Sequence, residues 1–353
     1  MNLIFNKIYH FYTAKKPFVA YRKPNSKEIS GFFMQEDALH YSKNYSESGF
    51  VFAPFNSEEK AILFPVEKAE FLQEKIDFKI GNSLKKTFIS DNSSKEKHLK
   101  IVEKAINFIK MGTIQKVVIS RQELVSLQNF DLVAVYKKLL LTYENAFVYV
   151  WFHPKVGLWL GATPETLLEV EEKVFKTMSL AGTQVANSKE NIVWKSKELE
   201  EQQLVTDFIE QQLEKIANTL KINKTETIKA GSLLHLKTKV SGRLNKKSTL
   251  KELISALHPT PAVCGLPRKI AKQFILEKEN YKRSFYTGFL GEINFNSSQK
   301  GKKETHLFVN LRCMKIDKNT ACIYVGGGIT KGSIATKEWE ETVSKAKTMK
   351  RVL

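Results

Sequence analysis

Apolar residues recur along this chain with two periods. Short runs bounded by polar turns, Phe18–Tyr21, Gly31–Met34 and Gly49–Phe55, predict strands in the first 80 residues. His98–Lys110 places Leu99, Val102, Ile106 and Ile109 at helical spacing and stops at Gly112, a residue suited to a helix C-terminus. The pattern then predicts a strand over Lys116–Leu124, a helix capped by Asp131 and running to Leu141, and strands over Ala146–Phe152 and from Leu158. A hairpin is expected over Glu169–Leu180, a long amphipathic helix over Glu198–Leu220 and a strand over Leu234–Leu244. Helices follow at Leu250–Leu257 and Lys269–Leu276, strands at Ser284–Ile293, His306–Ile316 and Ala321–Val325, and a last helix with Thr336 as its N-cap. The polar stretch Ser83–His98 reads as a loop or linker. Strands often follow strands directly, which favours an α+β class with large antiparallel or mixed sheets over a doubly wound parallel sheet.

Composition narrows the function classes. With 353 residues and 42% hydrophobic content the chain can bury a large core. No apolar run approaches the roughly 20 residues needed to span a bilayer. The segment Met1–Lys7 is broken by polar residues too early for a signal peptide, and three cysteines without metal-type spacing fit a reducing cytosol. The net charge of +19 is spread along the chain, partly in the loops Gly81–His98 and Asn294–Lys303. No nucleic-acid motif accompanies it, and a general positive field also attracts a small dianion. No Gly-x-Gly-x-x-Gly or Walker loop supports a nucleotide.

Candidate chemistry concentrates toward the C-terminus. Gly326-Gly327-Gly328 reads as a glycine turn whose amides can approach an anion. Glu338, Glu341 and Lys345 follow on one helix face, able to hold a hard metal or a solvated Glu–Lys pair. Lys116 opens an apolar strand, where lost hydration favours the neutral amine, or it reaches out to solvent. Glu165, in Gly161-Ala162-Thr163-Pro164-Glu165, is a buried general acid or a surface turn glutamate. Leu180-Ala181-Gly182-Thr183 ends a strand with amides and a hydroxyl that suit a carboxylate, or simply turns. Glu198, Glu200 and Glu201 each offer a carboxylate that could join Glu341 around a divalent cation, or none does. His235 shares a strand face with Lys237 and Lys239, and His258 sits in a proline-stiffened loop; both can be structural. Arg312, on a largely apolar strand, calls for an anion, either a substrate carboxylate or an internal partner.

Taken in order, the blocks KVVISR (116–121), GATPE (161–165), LAGT (180–183), EEQQLVTDFI (200–209), HLKTKVSG (235–242), HPTPAVCG (258–265), YTGFLGE (286–292), VNLRC (309–313), GGGI (326–329) and EWEET (338–342) resemble the chorismate-utilising enzymes. The resemblance runs from about Leu99 to Leu353; residues 1–90 look like the variable start of the same single domain. It implies two large stacked sheets with helices outside and the active site in a cleft. Within the family the chain is most similar to the isochorismate synthases. Lys116 matches their water-activating lysine, and Ala181 stands where many aminodeoxychorismate synthases have a nucleophilic lysine. The resemblance implies chorismate as substrate and Mg2+ as cofactor, held by Glu201 and Glu341 with Glu338 ordering metal-bound water. It further implies Lys116 as base and Glu165 as acid. Arg312 and Tyr286 would grip the enolpyruvyl carboxylate, His235, Gly182, Thr183, Gly326, Gly327 and Gly328 would bind substrate at the carboxylate sites, and Lys345 would position the metal-side carboxylates. It implies a cytoplasmic monomer with no obligatory glutaminase subunit, no membrane and no nucleic acid. Salicylate synthase shares these residues; an ammonia-using anthranilate or aminodeoxychorismate synthase component and a non-catalytic basic binding protein are the further alternatives. The chain departs from the family at Gln202, where histidine is common, and a changed hydrogen bond with metal binding retained is expected there.

Overall fold

The computed structural model describes residues 3–78, 92–185, 192–230, 233–297 and 302–353. Two sheets form the body. The first has nine strands in the order β15 (Gly265–Leu266), β7 (Lys116–Ser126), β19 (Thr320–Ile329), β18 (Cys313–Asp317), β9 (Gly157–Thr163), β8 (Phe147–His153), β1 (Phe18–Arg22), β2 (Glu28–Met34) and β6 (Ala69–Lys75). The second runs β12 (Ala217–Ile222), β14 (Leu233–Leu244), β11 (Val174–Val185), β10 (Thr166–Glu171), β17 (Glu304–Val309), β16 (Phe289–Ile293), β4 (Gly49–Ala53), β5 (Ile62–Pro65) and β3 (His40–Tyr41), with β13 (Glu226–Ala230) also on β14. Every pairing described is antiparallel, so the sheets are not mixed. The inner faces meet through aromatic side chains. Phe147 of the first sheet stacks on Phe308 of the second at 4.1 Å between ring centres, and Phe52 packs on Trp151 at 5.0 Å. Such pairs add to the area they bury and fix how the sheets face each other.

Helices cover the outer faces. On the first sheet lie α1 (Leu3–Thr13), α2 (Asn92–Lys110), α3 (Leu132–Thr142), α6 (Arg268–Lys278) and α7 (Ala335–Lys350); on the second lie α4 (Ser196–Glu214) and α5 (Leu250–Leu257). Local chemistry places several ends. Asp131 accepts from Ala134 N at 3.0 Å to cap α3, and Thr249 with Glu252 forms a capping box on α5. None of the helices among the described residues is long and apolar enough to cross a membrane.

Several expected elements come out differently. Helix α1 was not foreseen, because its apolar positions Ile4, Phe5, Ile8 and Phe11 are interrupted by Asn6 and Lys7. The loop expected over Ser83–His98 lies partly outside the described residues, and its end, from Asn92, is the first turns of α2. Part of the loop Asn294–Lys303 is likewise outside them. Helix α4 stops at Glu214 rather than Leu220, since Ala217–Ile222 pairs with β14 as an edge strand. Ser284–Gly288 turns before β16 begins. Thr336 is not an N-cap: α7 starts at Ala335 behind Ile334, without a side-chain cap.

The strand expected over His306–Ile316 is two strands in different sheets, and this difference creates the site. The chain leaves the second sheet after Val309 and enters the first at Cys313. Arg312 turns the corner with a left-handed φ of 47°. A second crossing lies beside it, where β9 of the first sheet passes through Pro164-Glu165 into β10 of the second. The crossings bond to each other: Val309 N donates to Glu165 O and Ala162 N to Arg312 O, both at 3.0 Å. Glu165 and Arg312 are thereby held at the seam between the sheets.

Candidate active site

A cleft opens at that seam. Its wall includes Glu165, Gly182, Thr183, Glu201, His235, Tyr286, Arg312, Gly326, Gly327, Gly328, Glu341 and Lys345. Twelve of the fourteen residues to which the family resemblance gives a site role therefore share one cavity. The remaining two stand directly behind it. Lys116 is fully buried, with Nζ 2.9 Å from Glu201 Oε1 at angles unsuited to a hydrogen bond. Glu338 is 2% exposed behind Gly327.

The three glycines are not a turn. They form the end of β19, extended and paired with Val118, Ile119 and Ser120 of β7. Their contribution is space. A Cβ on Gly328 would collide with Glu201 Oε1 and come within 3.1 Å of Lys116 Cε. One on Gly327 would lie 3.6 Å from both Glu338 Oε2 and Glu341 Oε1, and one on Gly326 3.1 Å from the Tyr286 hydroxyl. Bare backbone at Gly328 lets the Glu201 carboxylate of α4 close on the strand, whereas at Gly327 the α7 carboxylates lie at ordinary contact distance. Gly182 does need its conformation. It has φ 66° at a register shift of β11 against β14, so the strand bulges into the cleft and continues to Val185 instead of ending at Thr183.

Each acidic group of the cluster has an ammonium partner. Glu201 faces Lys116, Glu338 Oε1 lies 2.6 Å from Lys197 Nζ, and Glu341 Oε1 lies 2.6 Å from Lys345 Nζ, which also donates to Gly326 O at 3.0 Å. Burial favours a protonated Glu341, but Lys345, Lys197 and Arg312 outweigh it and hold the carboxyl below its ordinary range. Burial raises Glu338, against the pull of Lys197, and its Oε2 has no hydrogen-bond partner. Among the described residues no three acidic or histidine groups converge as a ready-made metal cage.

Across the cleft, burial pushes Glu165 up to about 8 although Lys116 and Lys345 oppose the shift. Burial lowers His235 to about 3, with Arg312 and Lys345 adding to the effect. The ring is neutral, and its Nδ1, 3.1 Å from Gly182 O, must be the donor because a carbonyl only accepts. Nε2 is then a buried acceptor without a partner. Arg312 enters no ion pair among the described residues; its Nη1 donates to Thr348 Oγ1 at 3.1 Å. Tyr286 is 2% exposed and stacks on Tyr324 at 5.4 Å.

Gln202 resolves the departure at that position. Its Oε1 accepts from Ala181 N at 2.8 Å and its Nε2 donates to Ser179 Oγ at 2.8 Å and Thr238 Oγ1 at 3.0 Å. One side chain thus ties α4, next to Glu201, to the bulge carrying Gly182. Sequence reading passed over Lys197, although it lies one helical turn before Glu201. It also passed over Tyr324 and Leu311, apolar wall residues that carry no chemical signal. His258 is structural: its Nε2 is 3.1 Å from Pro54 O, away from the cleft.

The family model of chorismate binding enzymes matches residues 55–353. This chain belongs to the chorismate binding enzymes. It is 29% identical over 276 residues to the isochorismate synthase MenF of Pasteurella multocida, covering 74% of this chain and 62% of that one. The chain thus spans about three fifths of the curated relatives it matches. The fold superposes on DhbC from Bacillus anthracis with a TM-score of 0.82 at 23% identity, covering 99% of both chains. It also superposes on anthranilate synthase component I from Streptococcus pneumoniae, at 0.69 and 19% identity over 95% of this chain and 92% of that one. The same fold is thus shared by proteins that carry different names.

Proposed function

We propose that the chain is an isochorismate synthase, cytoplasmic and Mg2+-dependent. It would isomerise chorismate by adding water at ring carbon 2 and expelling the hydroxyl of carbon 4, supplying menaquinone or catecholate siderophore synthesis. The observation that carries this reading is the pairing of a wholly buried lysine with a buried carboxyl of raised pKa at one cleft. Their charges are close enough for Lys116 to oppose the shift of Glu165. Acid and base chemistry at one pH needs two groups with opposed environments.

The donor set fits magnesium. Glu201 and Glu341 present hard oxygen ligands, and Glu338 Oε2 is a buried carboxylate oxygen without a hydrogen-bond partner. Glu201 and Glu341 would hold the ion, with Glu338 ordering water bound to it. When bound, Mg2+ would fix the ring carboxylate and draw electron density from the diene.

The chain's own groups supply the rest. Arg312 and Tyr286 bind the enolpyruvyl carboxylate, and Lys345 keeps Glu341 ionised. Lys116 accepts a proton from water as its oxygen bonds to carbon 2. The ring double bonds shift, and Glu165 gives its proton to the departing hydroxyl, which leaves as water. A proton returned from Lys116 to Glu165 through solvent resets the pair. With water as nucleophile no glutaminase is required, and the chain acts as a monomer.

Incubation with chorismate and Mg2+, with and without ammonia, should yield isochorismate alone. Salicylate with pyruvate would move the assignment to a salicylate synthase. Amination dependent on ammonia would move it to the anthranilate type. Absence of turnover would return the chain to a binding role.

The pH profile tests Glu165 separately. Its carboxyl must carry the proton, and burial raises it to about 8. The protonated fraction is high at pH 7 and declines through that value, so kcat/KM should fall on the alkaline side with an apparent pKa of about 8. A profile flat to well above that pH would remove Glu165 from the acid role.

A further inference from the structure

A second cavity, of about 290 Å3, lies on the far side of Arg312 and Pro164, two residues that line both cavities. Four more cations line it: Lys229 on β13, Lys237 on β14, and Lys347 and Arg351 at the end of α7. Glu144 is the one acid among its lining residues. None of the five cations takes part in an ion pair among the described residues, although lysines elsewhere on this surface do, as Lys239 with Glu226 and Lys302 with Glu171.

The cavity is more than a patch of solvated lysines. Lys237 is half-buried, and burial, followed by Lys239, lowers its pKa against the smaller opposing pull of Glu226 and Glu169. That cost is relieved by an anion. The guanidinium of Arg312 is bonded to Thr348, which lines this second cavity and not the first. Tyr143 donates to Thr348 O at 2.7 Å and fixes the same wall. The charge that would meet a substrate carboxylate in the catalytic cleft is thus shared with a neighbouring compartment.

We infer that this cavity is a second anion-binding site, taking a small molecule with two or more negative charges and linked to the catalytic cleft through Arg312. The inference does not require the reaction proposed above. Its basis is a concave volume, converging cations that form no ion pair among the described residues, and a shared wall.

The probe is benzene-1,3-disulfonate, a dianion that does not chelate Mg2+, titrated calorimetrically into the full chain at low ionic strength. The test variant is Lys229→Gln/Lys347→Gln/Arg351→Gln, three exposed positions outside the catalytic machinery. The control, Lys246→Gln/Lys247→Gln/Lys251→Gln, removes equal charge from another exposed surface. Wild type and control should bind alike, and the test variant roughly tenfold or more weakly. Equal affinity in all three proteins, equal loss in both variants, or no binding to wild type would each overturn the site. Steady-state kinetics then separates two sources of the same anion. If chorismate itself passes through the cavity, the test variant lowers kcat/KM with kcat unchanged. If a different anion occupies it, kcat/KM is unchanged without the probe, and inhibition by the probe is lost.

Discussion

Lys116→Ala is expected to lower isochorismate formation by about 10²–10⁴-fold, the range that one positioned acid–base group supplies, while chorismate still binds. Lys116 touches Glu201 and lies behind Gly328, so on the proposed mechanism it would meet the attacking water and not the groups that grip the substrate carboxylates. Direct titration of chorismate against the variant measures binding, and single-turnover product analysis measures chemistry. Because the side chain is wholly buried, Lys116→Met, which keeps most of its volume, guards against loss of fold. A thermal midpoint near wild type with turnover absent would place the defect in chemistry. Turnover near wild type in both variants would exclude Lys116 as the base.

Glu341→Gln should weaken Mg2+ binding by about 10²-fold or more, since a neutral amide replaces an ionised oxygen ligand. Lys345 keeps this carboxyl ionised against its burial, so the protein maintains a charge there that no substrate has yet met. Glutamine preserves shape and a hydrogen bond to Lys345, so the loss reports on charge. Calorimetry with Mg2+, or resonance spectroscopy with Mn2+ as stand-in, reads the affinity independently of turnover. Full activity of the wild type in chelator, or unaltered metal affinity in the variant, would defeat the metal assignment.

Much of the site was legible because its chemistry travels in short ordered blocks. Glu165, Glu201 and Glu341 lie in three such blocks, and each comes to the same cleft. Arg312 was legible as a cation needing an anion but not as a corner residue, since an apolar run does not reveal that two halves of it belong to different sheets. The glycine triplet was legible as permissive backbone but not as an extended strand. What Gly328 permits is the approach of Glu201, which only the packing of α4 brings near. Lys197 was missed because an ammonium among many on a helix carries no mark until Glu338 is placed against it.

The sequence by itself determined most element types, the Asp131 cap, the α+β class and the candidate groups for the site. These follow from local periodicity and from the chemistry of single side chains. The tertiary structure alone decided which strands share a sheet, where the chain crosses between them, and that Glu165 is buried enough to keep its proton near neutrality. Burial, field and convergence depend on residues far apart in the chain, and no local pattern encodes how much water is removed from a carboxyl.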